Sequence, residues 1–125
     1  MEDIKSLKIG EETAPLPPKN VVVGGMRVED VNGSDGKKVG TKLYLTCKHP
    51  DQDVPIEISK VKYNKDDKLA VSGTWMNLDK EGKIPFNSAV AHMMRFYMVA
   101  SMGQLEGKEL QTVADDKGFL MVKAY

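Results

Sequence analysis

A single cysteine, Cys47, stands in 125 residues. That scarcity excludes an internal disulfide and an all-cysteine zinc site, and it suits a reducing compartment. Charge of one sign is lacking too: 18 lysines and arginines balance 18 aspartates and glutamates. A duplex-coating protein, whose footprint is strongly basic, is disfavoured. No apolar run approaches the ~20 residues of a membrane span. The opening Met1-Glu2-Asp3-Ile4-Lys5 lacks the pattern of a signal peptide. A cytoplasmic, intracellular protein without membrane attachment is therefore expected. Internal repeats and low-complexity blocks are absent as well.

Motifs that carry chemistry are equally scarce. Val23-Gly24-Gly25-Met26 matches neither phosphate-binding glycine pattern, and no helix follows it. A Gly-x-Ser-x-Gly elbow is missing. Asp35, Asp66, Asp67, Asp79, Asp115 and Asp116 all fall in expected turns, where aspartate bonds its own backbone. The run from Asn77 to Ser88 begins like a calcium loop but puts Ser88 where the bidentate glutamate belongs. Cys47 and His49 share a strand face, yet the only other histidine, His92, is far along the chain. A buried cysteine beside a loop histidine is the expected outcome. No catalytic residue, metal site or cofactor is assigned, and the protein is not expected to be an enzyme.

What is present is a strand-rich pattern. Residues 1–19 read as an arm, because Pro15, Pro17 and Pro18 remove backbone donors. Within it Ile4, Leu7 and Ile9 are candidates for pinning the arm to the body or to a partner. Residues 20–125 read as one domain, long enough to bury about two-thirds of its unfolded surface without a metal or disulfide staple. Strands are expected over 21–31, 41–48, 56–63 and 69–78, with a bulge at Gly24-Gly25 and a bend at Gly73. Asn87 or Ser88 caps a helix over 89–102, with Gly103 at its end. Two strands, 109–113 and 119–125, follow around Asp115–Gly118. Four strands, a helix and a final hairpin suggest a mainly β fold, an OB-like barrel with one helix before the last two strands. The alternative is an α+β open antiparallel sheet with one packed helix.

Lysines and aromatics interleave across the middle of the chain. Lys42, Tyr44 and Lys48 share one face of a strand; Lys60 and Lys62 alternate with Tyr63; Trp75 lies beside the bend at Gly73. Between Lys37 and Lys68 there are eight lysines and five acids, so the segment is locally +3 in a neutral chain. Aromatics that stack bases within a mildly positive groove are how sequence-tolerant single-strand binders work. On the other reading, the lysines solvate the outside while Tyr44, Tyr63 and Trp75 fill the core.

Three segments, TKLYLTC, LDKEGKIPFNSAVAHMMRFY and LEGKELQTVADDKGFLMVKAY, together resemble small OB-like single-stranded DNA-binding proteins of phages, archaeal viruses and mobile elements. The resemblance covers about residues 20–125. It implies the barrel, and a role in DNA replication. The matching positions Leu105, Gly107, Lys108 and Gly118 are implied to be structural. No acid follows Asp116, so recruitment through an acidic tail is not expected. The expected function is non-catalytic binding of single-stranded DNA or RNA by Lys42, Tyr44, Lys48, Lys60, Lys62, Tyr63 and Trp75.

A second expectation is a structural or protein-interaction role in a virus or mobile element, with no nucleic-acid partner. Met94, Met98 and Met102 fall four residues apart on the expected helix, and His92, Arg95, Val99 and Met102 share a mixed side of it. Adaptable core or partner contacts explain such methionines better than copper ligation. A homo-oligomer joined through that side or through the arm is expected.

Overall fold

The computed structural model describes residues 16–125; the expected anchors Ile4, Leu7 and Ile9 lie outside them. A long hairpin opens the fold. Strand β1 (Val21–Asn32) pairs antiparallel with β2 (Lys38–Lys48). The expected bulge is there: the register shifts between Val23 and Gly25, which oppose Cys47 and Thr46. Val21, Val23, Leu43, Leu45 and Cys47 thereby face inward.

The third strand changes partners half-way. Its first part, β3 (Ile56–Ile58), pairs with β2. Beyond Ser59 its second part, β4 (Lys60–Lys65), pairs with β5 (Lys68–Gly73) across a tight turn. Asp66 and Asp67 hold that turn with φ of 51° and 65°, the pair of left-handed residues a two-residue hairpin requires. After Gly73 the chain rejoins β2. Thr74 N–H donates to Ser59 O at 3.0 Å, its carbonyl accepts from Leu43 N at 2.8 Å, and Lys42 pairs with Trp75.

Helix α1 (Ala89–Phe96) begins where Ser88 Oγ accepts from Ala91 N–H at 3.1 Å, a cap contributing about 1 kcal/mol. It buries Ala89, Val90, Ala91, Met93 and Met94 against the barrel. The expected length, to residue 102, is corrected. Met98 N–H bonds Arg95 O and Val99 N–H bonds Met94 O, with Met98 at φ 56°. That is a left-handed helix stop held by Met98, not Gly103. The reason lies outside the helix. Tyr97 Oη, facing the last strands, donates to Lys123 O at 2.5 Å and accepts from Gln111 N–H at 2.9 Å, which fixes where the helix ends. The methionine stripe and the shared side of His92, Arg95, Val99 and Met102 therefore do not form on one helix. Val99 is buried, Met102 sits in a separate 3-10 turn against the core, and Arg95 is exposed.

Strands β6 (Glu109–Leu110) and β7 (Thr112–Ala114) are again one extended run that changes partners. β6 closes on β1 through Val21–Leu110, while β7 pairs with β8 (Leu120–Ala124). β8 pairs parallel to β4 through Val61–Val122. The pairings run in a circuit: β1, β2, β3/β4, β8, β7/β6 and back to β1. This is a mainly β, OB-like, barrel-like fold of two four-stranded sheets, with one helix before the last hairpin. No helix among the described residues is long and apolar enough to cross a membrane.

Candidate nucleic-acid interface

Direct cross-strand partners share a face of a sheet, so the register alone assembles the outside of the barrel. Arg27 opposes Tyr44, Lys42 opposes Trp75, Lys60 opposes Gly73, and Lys62 opposes both Val71 and Lys123. One outer strip therefore carries Tyr44, Lys42, Trp75, Lys60, Lys62, Lys123 and Tyr125.

The indole of Trp75 lies against bare backbone. A Cβ built on Gly73 would stand 3.0 Å from Trp75 Nε1, and one on Gly40 would stand 3.2 Å from Trp75 Cε3. Any larger residue at either place presses on the ring, so the two glycines form its bed. Lys42 lies over the ring, its Nζ 5.5 Å from the ring centre, and its side-chain tip also borders Gly73. Tyr44 is arranged likewise: the Arg27 guanidinium lies 4.4 Å from its centre. Both aromatics are half-buried, and each has a cation over its ring. Such cation–ring contacts contribute about 0.5–1 kcal/mol at exposed sites.

The cations are not equivalent. Arg27 is shared by Glu57 at 3.1 Å and Glu29 at 3.5 Å, and Lys60 pairs with Asp115 at 3.4 Å. Lys42, Lys48 and Lys62 pair with no carboxylate among the described residues. Partial burial works to raise the pKa of Asp115. The N–H groups of Phe119 and Lys117, with Lys60, outweigh it and hold the carboxyl below its ordinary value. Between β4 and this Asp115 turn lies a cleft of about 320 Å³ lined by Lys60, Lys62, Val71, Asp115, Lys117 and Met121.

The chain matches no family model, no curated protein and no solved structure. Geometry alone then bears on what this face does.

Of the seven residues expected to contact nucleic acid, Lys42, Tyr44 and Trp75 stand together, with Lys60 and Lys62 one hairpin away. Lys48 is exposed at the far end of β2, beside Val22 and Pro50. Tyr63 is the correction. It points into the barrel, is 6% exposed and stacks at 5.0 Å on His92, because it has the parity of buried Val61 and not that of Lys60 and Lys62. Burial, and then Arg95, lower the pKa of His92. His49 is also enclosed: its Nδ1 accepts from Asp51 N–H at 3.0 Å, so Nε2 carries the proton and donates to Pro17 O at 2.8 Å. Neither histidine faces the outer strip. The turn aspartates Asp35, Asp79 and Asp115 accept from their own loop N–H groups at 2.9 Å.

Sequence reasoning missed Arg27, Lys123 and Tyr125. The bulge at Gly24 obscures which face Arg27 takes. The parallel pairing of β8 with β4 has no local signature. Gly40 and Gly73 both border runs that bear the strip's aromatics.

Proposed function

We propose that the protein binds single-stranded nucleic acid without catalysis, through the outer strip centred on Trp75. The observation that carries this reading is a half-buried indole packed close to the bare backbone of Gly40 and Gly73, with the Lys42 ammonium over its ring. A base arriving over the ring takes the place of the lysine. The displaced ammonium then has a phosphate within reach, so stacking and charge neutralisation come from one exchange. Each stacked base contributes about 1–3 kcal/mol. The strands 2–3 face and neighbouring loops are where barrels of this connectivity take up oligonucleotides, and Lys42, Tyr44 and Trp75 occupy that face.

Trp75 is the sole tryptophan, so its fluorescence reports directly. Titration with oligo-dT and oligo-rU in low salt should quench it, with the preferred strand separating DNA from RNA binding. If about three lysines meet phosphates, log Kd against log salt should have a slope of about 2 for single strands. Lys42→Gln should lower that slope by about 0.7. No quenching and no mobility shift with either oligomer in low salt would overturn the reading.

A second reading, an interaction protein, is favoured by one observation. Phe86 and Met98 are 74% and 88% exposed, and a groove of about 530 Å³ runs past Phe86, Met94, Arg95 and Val99. Sedimentation at micromolar concentration tests it: a monomer, with the fold intact, removes self-association through this groove.

A further inference from the structure

Tyr125 repeats the arrangement seen at Trp75. Its ring is half-buried on the outer strip, with Lys123 Nζ 4.3 Å and Lys62 Nζ 5.8 Å from its centre. Lys123 Nζ is held in place by Tyr125 O at 2.7 Å. Lys62 lies between the two aromatics. It opposes Val71 on one side and Lys123 on the other, and it lines the cleft it shares with Lys60 and Lys117. Reading outward from Trp75, the strip runs through Gly73 and Lys60, then Val71, Lys62 and Lys123, and ends at Tyr125. An aromatic therefore stands at each end, with lysines and an open cleft between them.

We propose that Tyr125, with Lys62 and Lys123, is a second base-stacking subsite, and that one single strand crosses from Trp75 to Tyr125 with its intervening phosphates over the cleft. This rests on the single-strand reading above and adds a strand path and a minimum length. About six residues of extended backbone separate the two rings along the strip, or about 20 Å. A stacked strand at 3.4 Å per nucleotide covers that with about six nucleotides, near the lower end of the site sizes seen for one such barrel. Asp115 and Asp116 also line the cleft. Asp115 is already paired with Lys60, which leaves Lys62 and Lys117 as the cations facing a phosphate.

The test uses (dT)3 and (dT)8 on the full chain, read by Trp75 quenching. Wild-type protein should bind (dT)8 far more tightly than (dT)3. Tyr125→Ala should weaken (dT)8 about tenfold, from the loss of one stacked base, and leave (dT)3 unchanged. Tyr125→Phe, which keeps the ring, should restore (dT)8 binding. Should Tyr125→Ala bind (dT)8 like wild type while quenching persists, the second subsite is overturned and the Trp75 site stands. Should no oligomer quench Trp75 at all, both fall together.

Discussion

Tyr44 and Tyr63 have opposite surroundings although both lie on strands of the same barrel-like fold. Tyr63 is closed in by α1 and stacks on His92. Tyr44 is half-buried on the outer face of its strand, with the Arg27 guanidinium over its ring. The two rings differ in what covers them. A packed core cannot be displaced by a ligand, whereas a guanidinium or ammonium can move at little cost. One step of strand parity thus separates a structural aromatic from an available one. The same distinction sets Trp75 and Tyr125 with Tyr44, and Tyr97, whose hydroxyl ties the helix end to Gln111 and Lys123, with Tyr63.

The sharpest way to break that comparison is truncation on each side. Tyr63→Ala should cost about 3–5 kcal/mol in a urea melt, as large-to-small core changes do. Tyr44→Ala should cost less than about 1 kcal/mol. Equal losses would mean that both rings are core.

The inside should also show itself in alkali. Burial pushes the Cys47 thiol up to about 11 from 9.0. The folded state thus holds this proton more tightly than the unfolded chain. The corresponding stability is complete below about pH 9 and is lost as pH rises through about 11, amounting to about 2–3 kcal/mol. Burial raises Tyr97 as well, although the Gln111 backbone bond opposes the shift, so it acts in the same direction. Urea melts at pH 8 and pH 11 should show the loss, and Cys47→Ala should remove its larger part. An unchanged profile in that variant would show that Cys47 is not the group responsible.

On the outside, Gly73→Ala should disturb Trp75 and little else. The new methyl meets Trp75 Nε1 at 3.0 Å and Lys42 Cε at 3.1 Å, and the lysine tip yields readily. Lifting the indole off its bed should shift its emission to the red, with a cost of about 1 kcal/mol. An unshifted spectrum would show that the ring does not rest on Gly73. The smallest effect is a gain. Met98 is exposed and left-handed, so Met98→Gly should raise stability by about 0.5–1 kcal/mol in the same melts. A loss instead would mean that Met98 makes contacts which outweigh its backbone strain.

Much of the barrel was legible because its signals are local. Gly24-Gly25 marks the bulge, Gly73 the bend, Ser88 the cap, and the aspartates the turns. The helix end was not legible, since residues 97–102 continue an apolar pattern with no breaker before Gly103. The stop depends on a tyrosine hydroxyl finding partners 14 and 26 residues away. Tyr63 was open to a better reading: Lys60, Val61, Lys62 and Tyr63 alternate, and the apolar set is the inner one. Tyr125 was not, because nothing near it in the chain announces that Lys62 will lie alongside.

The seam between β1 and β6 carries a consequence for the chain as it is made. Asn20 meets Glu109 across 89 positions and Thr112 meets Lys19 across 93. On a ribosome adding about 5–20 residues per second, the hairpin of β1 and β2 waits several seconds for the strand that covers its edge. During that interval it is an uncapped β-ribbon, the kind of edge that recruits other strands. Pro17, Pro18 and Lys19 stand just before that edge, and proline and lysine are the residues that discourage such pairing.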